Sequence, residues 1–423
     1  MKYIKKDLGS YNLHLINTNK YKTVTMKIVF HSPIKKEDIT KRNVLSDILL
    51  QSCKKYQSKR DMIIESENLY ALDIYNNIQR YGNYSMFSFT LQVLNDRYTE
   101  DDNLEKSIEF LSEILCNPDI SNNAFKKDKL SIVKNNTEVV LSSLKEDPVG
   151  YSQMRLYEAF DKEGPISYRM VGYKEDLSKI TKEDLYTYYK NMIENDYVDI
   201  FIAGDFDNVK IVSIIKKYFK FRKIKKKKIK YELDNRKCRK RRLFAKEKCE
   251  ASQSKLAIAC PISKMSTYEK NYPLVLANII FGGSADSKLF KNVREKNSLC
   301  YTINSSVSKL DNLMTIKAGI DKDNFNKTVE VITKTLDDMK KGKFTDKDIN
   351  IAKELYKSYI MSIEEDPMRI INEYLSMEII DMDSYNERIE IMDKVKKRDI
   401  IKVFKKINMD TIFLLEGDIK WKK

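Results

Sequence analysis

Histidine is the scarcest residue with versatile chemistry in this 423-residue chain: only His14 and His31 occur. A catalytic zinc usually takes two or three histidines, and a hydrolytic triad needs a histidine base. The two are separated by 16 residues, and neither belongs to an HxxxH or HExxH helix. Each therefore reads as an ordinary surface or strand residue. Glycine and proline are also few, at 11 and 7, which excludes Gly/Pro-rich low-complexity architectures. No run approaches about 18 uninterrupted apolar residues, so no membrane span is expected. The opening MKYIKKDLGSYNLHLINTNK is basic but has no apolar core, so a secretory signal is not expected either. The six cysteines, Cys53, Cys116, Cys238, Cys249, Cys260 and Cys300, make no CxxC pair. That scatter fits reduced thiols in a cytoplasmic protein better than a disulfide framework or a Cys-rich zinc site.

Apolar residues make up 42% of the chain and charged residues 33%, enough for a sizeable core and too apolar for a disordered or fibrous chain. At about 100–200 residues per domain, two or three domains are expected. The formal charge is +16, with 78 Lys+Arg against 62 Asp+Glu. It is concentrated: from Arg222 to Lys248 there are 15 Lys/Arg and 3 Asp/Glu, a net of +12. A nucleic-acid patch and a solvated linker both fit such a run. Only Tyr231 and Phe244 accompany it as aromatics, and no nucleic-acid motif surrounds it. Residues 226–244 are therefore read as a basic linker, and no nucleic-acid partner is expected. Attraction of an acidic partner or peptide stays open.

The sequence repeats. DNLEKSIEFLSEIL, Asp102–Leu115, aligns with DNFNKTVEVITKTL, Asp323–Leu336, with five identities in 14 positions. LSSLKEDP ending at Pro148 resembles MSIEEDP ending at Pro367, and IFIAGDFD from Ile200 resembles IFLLEGDIK from Ile412. The offsets are 221, 219 and, at the shared Gly-Asp, 213, in the same order. Three ordered matches mark a duplication, with domains at 1–225 and 245–423. Each copy opens with an alternating strand, TVTMKIVFHS or SKLAIACPI. A helix, two more strands, two long amphipathic helices and a last strand ending in Gly-Asp follow. In the second copy the long helices span 323–340 and 345–363, with Gly342 as a stop between them. Segregated strands and helices predict an α+β fold: two homologous domains, each an antiparallel sheet with helices packed on one face.

One segment, FGGSADSKLFKNVREKNSLCYTINSS from Phe281, reads as a sharp Gly282-Gly283 turn, a short amphipathic helix and an alternating strand. It resembles the pitrilysin/insulinase metallopeptidase family, in the branch of mitochondrial processing peptidase. The residues that carry the resemblance are Gly282, Gly283, Ser287, Leu289, Phe290, Val293, Arg294, Glu295, Lys296, Leu299 and Tyr301. The internal duplication resembles that family too. The resemblance implies that Arg294 and Tyr301 reach a zinc site carried by another domain or chain, contact the substrate backbone and help stabilise the oxyanion. A forked guanidinium and a phenol are suitable donors for that work.

Catalytic members of the family carry HxxEH on the first long helix, plus a distal Glu. On the corresponding helix here, Asn43 and Asp47 stand at the two His positions and Ser46 at the Glu position. The nearest candidate for the distal Glu is Glu138. Asn is a poor zinc ligand, and Ser cannot activate water as a carboxylate does. No metal or other cofactor is expected in this chain. The resemblance therefore implies a non-catalytic subunit of a heterodimeric zinc metallopeptidase. It would supply Arg294 and Tyr301 to a homologous partner that carries HxxEH and the zinc. Peptides would be the substrate, with trimming of leader segments as an implied role. The alternative is an inert scaffold or binding protein of the same fold.

Overall fold

The computed structural model describes every residue except 101, 223–228 and 419–423. Part of the basic run and the end of the third repeat therefore lie outside the described residues. The chain forms two compact units. One comprises residues 1–142, 169–230 and 363–376, and the other 143–168, 231–362 and 377–423.

The first unit is built on β1 (Lys2–Asp7), β2 (Asn12–Asn17), β3 (Thr23–Pro33), β4 (Asp73–Tyr81), β5 (Tyr84–Leu94) and β8 (Tyr197–Gly204). A small hairpin, β6 (Ile120–Ser121) with β7 (Ala124–Phe125), stands apart. The sheet order is β1-β2-β8-β3-β5-β4, antiparallel except for the β2–β8 pair. Alternation in β3 and β5 sends Val24, Met26, Ile28 and Phe30 to the same face as Phe87, Phe89 and Leu91. There they meet Val44, Leu45, Ile108, Leu111, Leu185 and Ile215 from four helices. Each fully buried phenylalanine on that face is worth about 1.5–3 kcal/mol. The other face carries the buried polar residues Asn12, His14, Thr25, Lys27, His31 and Asp199 among the apolar Ile16, Val29 and Phe201. A helix from the second half of the sequence, Pro367–Ile379, serves this face. Asn372 accepts a hydrogen bond from Lys27 Nζ at 2.8 Å, and the Tyr374 ring stacks on Tyr3 at 4.2 Å.

The second unit holds β9 (Leu243–Cys249), β10 (Ser254–Pro261), β11 (Cys300–Ser308), β12 (Leu313–Ile320) and β13 (Thr411–Gly417). Their order is β11-β12-β10-β13-β9, with only β13–β9 parallel. Helix Pro148–Phe160, from the first half of the sequence, packs Leu156 and Phe160 against Ala257, Ala259, Phe413 and Leu415. Each unit is thus completed by a helix from the other copy. Both of these helices begin at the repeated Glu-Asp-Pro. Asp147 Oδ1 accepts from Val149 N at 3.1 Å, and Asp366 Oδ1 from Met368 N at 2.7 Å, with the proline at the first helical position.

The fold is α+β with two homologous domains on antiparallel-rich sheets, as the repeats predict. The parallel pairs and the helices on the second faces add to that reading. The later part of the basic run is built into the second unit. Arg239 binds Asp410 and Thr411, Arg236 pairs with Asp161 at 2.8 Å, and β9 forms the sheet edge. Exposed Lys246 and Lys248 on that edge discourage pairing with another strand. Among the described residues, no helix is long and apolar enough to cross a membrane.

Candidate functional site

The Phe281–Tyr301 motif departs from regular geometry three times. Ile279–Gly283 and Phe290–Glu295 are π-helical, and the β11–β12 register slips between Cys300 and Thr302. Wide helical turns and bulges are over-represented at functional sites, where they re-aim side chains. The glycines serve close approach rather than an unusual φ. A Cβ on Gly282 would lie 2.5 Å from Ser305 Oγ and 2.8 Å from Ser305 N, and one on Gly283 would lie 2.8 Å from Asn278 Nδ2. Ser287, Leu289 and Val293 are buried and anchor the segment.

Arg294 follows Val293 and is exposed, its guanidinium 4.7 Å from the Phe290 ring centroid. That stacking restricts a long side chain without consuming its hydrogen-bond donors. Tyr301 sits at the register slip and is 63% exposed, while Cys300 beside it is buried. Both lie at the start of β11, an edge strand. The segment thus presents two polar donors from a dry, closely packed base.

The helix Lys36–Leu49 carries Asn43, Ser46 and Asp47, the positions that the resemblance assigns to zinc ligands and base. Asn43 Nδ2 donates to Ile39 O at 3.1 Å and to Met170 O. Ser46 Oγ donates to Asn43 O at 2.8 Å. Asp47 Oδ1 accepts from Asn76 Nδ2 at 2.9 Å, which ties the helix to β4. Glu138 pairs with Lys174 at 2.8 Å in a largely exposed pair. Loop residues 170–173 strap the helix: Tyr173 N donates to Thr40 Oγ1 at 3.0 Å, and Gly172 has φ +97° against Thr40. A single carboxylate with an amide and a hydroxyl does not fit a zinc centre. Among the described residues, no cluster of three His, Cys, Asp or Glu could hold a metal ion.

Thiol chemistry is not offered either. Burial pushes all six cysteines up, Cys116 and Cys260 to about 12 and Cys300 to about 11, so nucleophilic thiolate is scarce at neutral pH.

One cluster escaped the sequence reading. His14 and His31 are both strand residues, but they are buried and converge on Asp199. The signal was present: an aspartate inside the apolar strand sequence YVDIFIAG needs buried donors.

These features define a class: a duplicated α+β protein whose first long helix lacks a zinc-ligand set and whose second unit exposes Arg294 and Tyr301 on an irregular segment. Comparison with known proteins makes the class specific. Residues 179–356 match the family described as "Peptidase M16 inactive domain". The chain is 29% identical over 422 residues to the "Probable inactive metalloprotease YmfF" of Bacillus subtilis, covering 98% of this chain and 97% of that protein. It is 23% identical over 323 residues to the mitochondrial-processing peptidase subunit beta of Saccharomyces cerevisiae, covering 71% and 67%. A conserved protein from Enterococcus faecalis superposes with a TM-score of 0.89 at 28% identity, covering 99% of both chains. The chain is thus similar to peptidase M16 proteins, the pitrilysin/insulinase metallopeptidases, and carries no HxxEH.

Proposed function

We propose that this chain is the non-catalytic subunit of a heterodimeric zinc peptidase acting on peptides in the cytoplasm. Its partner is a homologous chain that carries HxxEH and holds the zinc. This chain supplies Arg294 and Tyr301. The guanidinium grips the peptide backbone by its forked donors, and the phenol O–H is aimed at the carbonyl oxygen that becomes negative as water adds. The observation that carries the reading is the contrast between two segments. The ligand helix has its side chains tied up in internal hydrogen bonds, whereas the Arg294/Tyr301 segment keeps both donors exposed on an irregular, tightly packed base. A zinc-bound water on the partner would be the nucleophile, since nothing on helix Lys36–Leu49 can activate one. Trimming of leader segments from small peptides is the processing role that fits.

The test is reconstitution with an HxxEH-bearing M16 subunit from the same organism. The two chains should co-elute as a heterodimer, and peptide cleavage should require both. If the HxxEH subunit cleaved equally well alone, complementation would be refuted and the scaffold reading would take its place.

A further inference from the structure

The sheet of the second unit ends on β11 at one side and on β9 at the other, and the two faces of β9 are unlike. On one face, Ala245 and Cys249 join the apolar cluster of Leu156 and Phe160, and Glu247 accepts from Tyr151 Oη at 2.8 Å and Arg155 Nε at 2.9 Å. The alternate residues form a row on the other face. Arg242 Nη1 donates to Thr333 Oγ1 of helix Phe325–Lys340 at 3.3 Å. The Phe244 ring, half exposed, lies 5.2 Å from that of Phe325. Lys246 pairs with Glu416, and exposed Lys248 ends the row.

The backbone alternates in the same way. Leu243 N donates to Asp410 O at 2.9 Å, and Cys249 O accepts from Asp418 N at 3.2 Å, so the odd-numbered residues bond toward β13. In an extended strand the polar groups of successive residues point to opposite sides, so Phe244, Lys246 and Lys248 turn their N–H and C=O to the open edge. The charge there is one-sided. From Lys237 to Lys248 there are 7 Lys/Arg and 1 Asp/Glu. Arg239 is taken by Asp410, whereas exposed Lys240, Arg241 and Lys248 pair with no carboxylate among the described residues. Glu416 serves several lysines at once: its bond from Lys246, with Lys322 and Lys248 nearby, holds its carboxyl below the usual range. We propose that β9 and the basic residues leading into it form a docking site for an extended acidic segment of another polypeptide, which adds a strand beside residues 244–248.

Main-chain bonds to a sheet edge give affinity, and alternate side chains give specificity. The lysines that discourage a neutral or like-charged strand therefore select one that carries carboxylates at every second position. Directly opposed side chains on one face stand about 5 Å apart. The incoming strand sets acidic side chains beside Lys246, Lys248 and Arg242, and an apolar one beside Phe244. Nucleic acid is the other anion that a basic run can take. A phosphate backbone brings acceptors but no N–H donors, so it leaves the edge carbonyls of Phe244, Lys246 and Lys248 unmatched. Phe244 is the only aromatic in the row, and one side of its ring is already occupied by Phe325. The site lies on the sheet edge away from the strand of Tyr301 and does not rest on the role of Arg294 and Tyr301.

The experiment titrates the full chain with a capped, fluorescein-labelled seven-residue peptide, followed by anisotropy at low salt. The peptide has glutamate, leucine, glutamate and glutamate at alternate positions and threonine between them. It should bind saturably, and hydrogen exchange read by mass spectrometry should show added protection over residues 243–249. N-methylation of one alternate set of peptide amides should abolish binding, and methylation of the other set should be tolerated. Lys246→Glu with Lys248→Glu should weaken binding about 10-fold and favour the peptide with lysine in place of glutamate. Absence of binding at millimolar peptide, equal tolerance of both methylated sets, or unchanged affinity in the double variant would overturn the proposal. A thymidine oligonucleotide that binds more tightly than the peptide and displaces it would overturn it too, in favour of nucleic acid. If the double variant does not fold, the two methylated peptides on the wild-type chain decide alone.

Discussion

Arg42 precedes Asn43 and is the deepest Lys or Arg among the described residues of the first unit, 2% exposed. Its Nη2 lies 2.7 Å from Asp196 Oδ2 and 3.0 Å from Phe30 O, and Nη1 donates to the Tyr188 hydroxyl at 3.3 Å. Burial opposes the guanidinium charge, but Asp196 and Tyr188 outweigh it and keep the group protonated. Arg42→Met fills similar space while leaving Asp196 as a buried carboxylate without its cation. Breaking a buried pair from one side costs about 3–5 kcal/mol. Urea unfolding followed by far-UV circular dichroism should show that loss at pH 7.5. The penalty should shrink toward pH 5, because without Arg42 the folded-state Asp196 carboxyl moves further above its unfolded value and takes up a proton. Adding Asp196→Leu should recover most of the stability, since removing both partners leaves nothing unpaired. A loss under about 1 kcal/mol, or a double variant no better than Arg42→Met, would refute the reasoning.

Gly282→Ala should destabilise the second unit by about 1–3 kcal/mol, the usual cost of overpacking, because the added carbon would meet the Ser305 backbone in the β11–β12 ladder. An unchanged urea midpoint would count against that packing. Glu269 binds Lys406 at 2.8 and 2.9 Å and caps Ser266. Burial opposes its charge, but these partners prevail and its carboxyl falls from 4.5 to about 2. Its stabilisation should be complete above about pH 4.5 and fade as pH falls through about 2. Glu269→Gln should therefore be less stable at neutral pH and converge with wild type in strong acid; parallel curves would contradict this. Elemental analysis of the purified chain should find no stoichiometric zinc, and a tightly held ion released only by a strong chelator would overturn the reading of Asn43, Ser46 and Asp47.

Much of this was legible in the chain itself. Period-two alternation gave β3 and β5, the repeats gave the duplication, and the Phe281–Tyr301 motif gave the family resemblance. The destination of the two Glu-Asp-Pro helices was not legible. A repeat states that Pro148 and Pro367 open equivalent helices, but not which sheet each serves, since amphipathic faces such as Leu156/Phe160 fit any apolar surface. The π-helical turns were hidden because SKLFKNVREK satisfies an ordinary helical period. His14 and His31 were discounted on spacing, which detects ligands on one helix but not residues on separate strands joined through Asp199.

The central claim is that the exposed pair on the second unit works for another chain's metal centre. The most direct measurement is the turnover of the reconstituted heterodimer with Arg294→Ala or Tyr301→Phe in this chain, with heterodimer affinity measured alongside. Each variant should lower turnover by about 10²–10³, the effect of removing one preorganised oxyanion donor, with affinity unchanged. Variants that support cleavage at the wild-type rate would contradict the account and leave Arg294 and Tyr301 as remnants on a scaffold.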